Sequence, residues 1–148
     1  MKILAFDIAT KTGWAFGEKK ATEGGSFKFQ GFYFYYRQCK ALIQEFKPDI
    51  IICAEATRFF TAQRRMNMLC GAMQVAADDC KVPIYTEERA GKGKKKKSTG
   101  FPVDSHMKKE VFGVGKVDKV DICKRYNTSD EDEADARMFV EYLGNKFN

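Results

Sequence analysis

Histidine is almost missing from this chain: His106 stands alone among 148 residues. That argues against a histidine-rich metal site and against a Ser-His-Asp triad. Cysteine is present without a pattern, since Cys39, Cys53, Cys70, Cys80 and Cys123 are odd in number, scattered, and never spaced as CxxC. A disulfide framework and a thiolate zinc site are disfavoured, leaving five small apolar core residues in a reducing compartment. No apolar run approaches the roughly 18–20 residues that cross a bilayer. The chain does not open with a basic region, a long apolar segment and a small-residue cleavage site. The expectation is a cytoplasmic protein with no membrane association.

Hydrophobic residues reach 44% and aromatics 14%, enough for a proper core, so wholesale disorder is not expected. The length fits a single domain over 1–148. The net charge of +6 is unevenly spread. "AGKGKKKKSTG" (90–100) holds five lysines and no acid, whereas "SDEDEADA" (129–136) holds five acids and no base. A basic surface attracts polyanions, nucleic acid above all, and a dense acidic knot in a basic protein needs its own explanation.

Residues 2–9, 12–17 and 24–32 read as three successive strands of an antiparallel meander. A helix follows over 35–46, with Tyr35, Cys39, Leu42, Ile43 and Phe46 at helical spacing, stopped by Lys47-Pro48-Asp49. "DIIICAEA" (49–56) reads as a buried strand entered directly from that helix, hence parallel in the sheet. The longest helix is expected over 59–80, with Met66, Leu69, Met73 and Ala76 or Ala77 inward. A short strand at 82–88 precedes a basic loop at about 90–106. Two further helices are expected, over 116–126 with Val117, Val120, Cys123 and Tyr126 on one face, and over 132–143 with Ala136, Phe139, Val140 and Leu143 inward. The order is that of an α/β protein with a mixed sheet covered by helices.

Three groups of acids stand where propensity would not put them. Asp7 ends an apolar strand, where aspartate is disfavoured. Glu55 sits at the C-terminal end of "IIICAEA", after five residues with almost no polarity. Asp132 and Asp135, three apart near a helix start, share one face with Cβ atoms about 5–6 Å apart. Singly, each acid could cap a turn or complement a helix dipole. Together they can converge, because strand 1 and the strand at 50–56 can lie side by side. Four clustered carboxylates repel one another and would hold protons unless a cation neutralised them. Hard oxygen ligands suit Mg²⁺ or Mn²⁺, and two such ions about 4 Å apart serve phosphodiester cleavage. Acids holding metals and lysines holding the polyanion describe a nuclease.

The stretches "ILAFDIATKTGWAFG", "IIICAEAT", "KKEVFGVGKVDKVDI" and "DEADA" resemble, in order, those of the RuvC-type Holliday junction resolvases, within the RNase H-like nuclease superfamily. "DIATKTG" alone also resembles the phosphate loop of actin-like ATPases, but that fold needs two such domains around its nucleotide. The resemblance implies an RNase H-like mixed five-stranded sheet flanked by helices. It implies that Asp7, Glu55, Asp132 and Asp135 bind two Mg²⁺ ions, with Mn²⁺ substituting, while Asp130, Glu131 and Glu133 are solvated helix-start acids. Lys108 and Lys119, flanking the Gly113-Val-Gly115 turn, take the family's lysine positions, with Lys109 one residue from the first. Phe59 and Phe60 fall near the aromatic that enters an opened junction.

The helix at 59–80 matches the family's dimer helix and implies a homodimer with four-way DNA junctions as substrate. Arg64, Lys92, Lys94, Lys95, Lys96, Lys97, Lys109 and Lys116 are expected phosphate contacts, the lysines of the basic loop forming an arm longer and more basic than the family's. Magnesium-dependent cleavage by paired symmetric nicks is the implied activity. A less selective cutter of branched DNA, a ribonuclease H-like enzyme and a non-catalytic basic DNA-binding protein are the alternatives. No helicase partner can be read from the chain.

Overall fold

The structure, a computed structural model, describes residues 1–55, 60–89, 93–94 and 96–147, with the backbone alone described for 60–63 and 89. Strand β1 (Ile3–Asp7) is the hub. It pairs antiparallel with β2 (Lys11–Gly17) and parallel with β4 (Ile50–Cys53), and β2 pairs antiparallel with β3 (Ala21–Lys28). The sheet order is β3-β2-β1-β4.

Side-chain alternation along β1 explains its unbroken apolar run. Leu4 and Phe6 enter a core with Tyr35, Cys39 and Ile43 of α1 (Phe32–Phe46) and Leu69, Met73 and Ala76 of α2 (Phe60–Asp79). Ile3 and Ala5 enter the core on the opposite face, with Ala136, Phe139, Val140 and Leu143 of α5 (Glu131–Phe147). Asp7 shares the parity of Ile3 and Ala5 and so belongs to the α5 face. Helices α1, α2 and α5 bury the faces read from their spacing, although Phe46 and Met66 are only partly buried. The five cysteines are free thiols, Cys39 and Cys53 buried.

Helix α1 begins at Phe32, three residues before the expected start, and β3 ends at Lys28 rather than continuing to 32. The left-handed Gly31 (φ 100°) turns the chain between them. Lys47 closes α1 in the left-handed helical region (φ 47°, ψ 57°), and Asp49 N–H donates to Lys2 O at 2.9 Å to start β4 beside β1.

A fifth strand contributes only a bridge. Ile51 pairs parallel with Ile84, its N–H donating to Pro83 O at 2.9 Å and its carbonyl accepting from Tyr85 N–H at 2.7 Å. The chain then leaves the sheet, and β5 (Glu87–Arg89) pairs antiparallel with β6 (Ser98–Gly100). The stretch expected as an aperiodic loop over 90–106 therefore includes a strand, β6. Its last three residues already belong to α3 (Asp104–Phe112).

Helix α4 (Lys119–Tyr126) buries Ile122, whereas Val120 is 62% exposed, because the helix starts at Lys119 and Val117 lies outside it. Among the described residues no helix is long and apolar enough to cross a membrane.

Candidate active site

The last residue of β1 sets the site. Asp7 is paired in register with Gly13 of β2, and a Cβ at Gly13 would come within 1.9 Å of the Asp132 carbonyl oxygen. Only glycine lets the first turn of α5 lie this close on the strand. That contact delivers Asp132 and Asp135 to Asp7.

The start of α5 is built by the neighbouring acids. Asp130 Oδ1 accepts from the N–H groups of Asp132 (3.0 Å) and Glu133 (3.2 Å), and its Oδ2 accepts from Ser26 Oγ at 2.6 Å. Asp130 is thus the helix cap, tied to β3. Glu133 accepts from Thr128 Oγ1 and from Arg137 Nη2. Neither is the solvated acid the sequence suggested, whereas Glu131 is exposed. Lys11 Nζ lies 3.5 Å from Asp130 and 3.6 Å from Asp132.

Asp135 is 5% exposed. Its Oδ2 accepts from Lys119 Nζ at 2.8 Å, and its Oδ1 is buried with no hydrogen-bond partner among the described residues. An unsatisfied buried carboxylate oxygen costs free energy unless a proton or cation meets it. Burial pushes the Asp7 carboxyl well above its ordinary 3.8, helped by Asp135, Asp104 and Asp132 and opposed by Lys119. Asp132 is raised too, by burial against the attraction of Lys11. Lys119 is held above 10.5 despite desolvation, because Asp135, Asp7 and Glu131 favour its charge.

Burial and mutual repulsion disfavour the ionised form of Asp7 among these carboxylates, in a setting of hard oxygen donors. The chemistry fits a divalent cation such as Mg²⁺. As the side chains stand, no group of three or more acid, His or Cys side chains among the described residues is arranged to hold a metal ion. Glu55 lies two residues beyond β4, at the same end of the sheet, with its N–H donating to Pro102 O at 2.9 Å. Its side chain is exposed and is not among the groups acting most strongly on Asp7.

Lys108 is mostly buried, its side chain 15% exposed, and pairs with Asp104 Oδ2 at 2.6 Å. Asp104 is an acid the sequence reading missed. It begins α3 four residues before Lys108, the spacing of a helical ion pair, and that spacing was its one visible signal. Gly113 closes α3 in the left-handed region (φ 84°) before the turn to α4.

Lys109 and Lys116 are exposed, as are Lys94, Lys96, Lys97 on the hairpin and Arg64 on α2. Phe59, Lys92 and Lys95 lie outside the described residues, and Phe60 is described only as the first residue of α2.

No protein-family profile matches the chain. No curated protein matches it significantly in sequence. Among solved structures, Thermus thermophilus RuvC superposes with a TM-score of 0.70 at 15% identity, over 96% of this chain and 92% of that one. T. thermophilus RuvC in complex with Holliday junction substrate matches with a TM-score of 0.67 at 16% identity, over 96% and 91% of the two chains. The chain has a RuvC-like fold, and at this identity the likeness is one of fold alone.

Proposed function

We propose that the protein is a Mg²⁺-dependent endonuclease of branched DNA, a Holliday junction resolvase acting as a homodimer. The observation that carries the reading is the meeting of Asp7, Asp132 and Asp135 with Lys119 at the end of β1, where Asp135 Oδ1 is buried without a partner. The resolved structure of T. thermophilus RuvC with a Holliday junction supports the choice of substrate on this fold.

Asp7, Asp132 and Asp135 would hold the divalent cation, with Glu55 joining from the end of β4. When bound, the metal supplies a polarised water and charge neutralisation at the scissile phosphate. The chain's own groups do the rest. Asp7 ends a strand paired on both sides and is itself in register with Gly13 of β2, so its carboxylate is held rigidly. Lys119 brings a positive charge that Asp135 orients toward the phosphate, where charge develops in the transition state. Lys108, steered by Asp104, supplies a second. The exposed lysines of the hairpin add phosphate contacts that raise affinity without reading sequence.

Helix α2 is the proposed dimer element: Met68 and Val75 are exposed on it, 49% and 54% respectively. Two chains would then present two sites to opposed strands. The lysine-bearing hairpin favours a second reading, a cutter of branched DNA with little preference for four arms, because such contacts grip any duplex.

One gel tests these. Wild type and Asp7→Asn are incubated with Mg²⁺ on a synthetic four-way junction, a linear duplex, a flap and an RNA–DNA hybrid. Paired nicks in the junction, lost in Asp7→Asn, are expected. Equal cutting of junction and flap would favour the second reading. Cleavage of the hybrid alone, or undiminished cutting by Asp7→Asn, would refute both.

A further inference from the structure

The segment "FKFQGFYFYYR" (27–37) holds seven aromatic residues, more than the core absorbs. Tyr35 is buried against Phe27, and it faces inward with Cys39, Leu42 and Ile43. The other face of α1 points away from that core. Tyr33 is 73% exposed, its ring stacked on Tyr36 at 6.3 Å, and the Arg37 guanidinium lies 5.7 Å over it. Lys40 lies 5.6 Å over Tyr36, whose hydroxyl donates to Asp79 of α2.

Beside this stripe, exposed Phe32 meets Phe29 edge-on at 5.1 Å, and Arg65 of α2 lies 5.4 Å over Phe29. From Lys28 to Gln44 the chain carries no acid.

The stripe starts at the acidic end of the sheet. Phe29 N–H donates to Thr10 O at 2.7 Å, three residues past Asp7, and Lys28 pairs in register with Lys11, the lysine next to Asp132. The acids themselves lie on the opposite, α5 face of the sheet.

We infer that Phe32, Tyr33, Tyr36 and Arg37, with the adjoining Phe29–Arg65 pair, form a binding surface for unpaired DNA nucleotides. Exposed Phe32 and Tyr33, with half-buried Tyr36 and Phe29 beside them and guanidinium and ammonium groups interleaved, offer what such a strand needs. Each base can stack on a ring, and each phosphate finds a cation. A duplex keeps its bases stacked on one another, so the aromatic half of the surface has nothing to take from it. The choice of DNA rests on the branched-DNA reading. The site itself does not depend on cleavage.

The test measures binding in EDTA, so it fails separately from any nuclease assay. Fluorescence anisotropy follows the full chain with a labelled dT strand of about 20 nucleotides, a duplex of equal length, and an abasic strand that keeps the phosphates and lacks the bases. The dT strand is expected to bind at least about fivefold more tightly than the abasic strand. Tyr33→Ala should weaken dT binding by about five- to tenfold, the loss of roughly one stacked base, and Tyr33→Trp should preserve it. Photocrosslinking of a 5-bromouracil strand should map to Tyr33 or Tyr36. Equal affinity for the dT and abasic strands, or unchanged dT binding by folded Tyr33→Ala with Arg37→Ala, would overturn the inference.

Discussion

Asp7 is a residue whose function and stability oppose each other. Its carboxyl is raised by burial and by three acids, so the metal-free native state keeps a proton that the unfolded chain releases. Stability from this group therefore falls as pH rises from about its ordinary 3.8 through the raised native value. Thermal unfolding in chelator should show wild type losing stability relative to Asp7→Asn as pH rises above about 4. The same variant should cut junctions at least about a hundredfold more slowly. Asp7 was legible in the sequence because a lone acid on an apolar strand breaks a propensity rule. Asp104 and the capping role of Asp130 were not, since acids in a first helical turn are ordinary and only contacts distant in sequence, such as Ser26 to Asp130, set one apart.

Helix α5 and strand β2 share a contact that permits one residue type. A methyl at Gly13 would overlap the backbone of Asp132, which cannot swing aside as a side chain can. Gly13→Ala should cost about 1–3 kcal/mol in chemical denaturation and reduce cleavage by moving the first turn of α5 off Asp7.

Helix α4 is held to α5 at its far end. Arg125 donates to both oxygens of Glu141, at 2.6 and 3.3 Å, and the Tyr126 hydroxyl donates to it at 2.6 Å. Burial opposes ionisation of Glu141, yet these bonds outweigh it and hold the carboxyl below its ordinary 4.5. Such a group stabilises above its unfolded pKa and loses that contribution as pH falls through the native value. Glu141→Gln should cost about 1–3 kcal/mol at pH 7, with the gap from wild type closing as pH falls below about 4.5. Because α4 carries Lys119 at its first turn, cleavage should fall with it.

Helices α1, α2 and α5 were readable from period alone, since each buries one stripe in a long run. The β5–β6 hairpin was hidden because lysines at its tip show no alternation. The fifth strand shrank to a bridge at Ile84 because the chain turns away to form that hairpin.

At the scale of the whole molecule, charge is sorted: acids gather at one end of the central sheet, and exposed lysines ride on the hairpin beyond it. That sorting was plain in the sequence, whereas the side of the sheet each acid faces came only from the alternation of β1 against two cores. If the hairpin lysines meet phosphates, replacing Lys94, Lys96 and Lys97 with alanine should flatten the dependence of log affinity on log salt by about 2 to 3. The central claim is that the acids at the end of β1 hold the divalent cation. Electron paramagnetic resonance of free Mn²⁺, titrated with protein, measures it most directly. Two saturable sites per chain are predicted for wild type, with the tighter one abolished in the Asp7→Asn/Asp135→Asn double variant. Equal Mn²⁺ uptake by wild type and the folded double variant would contradict the account.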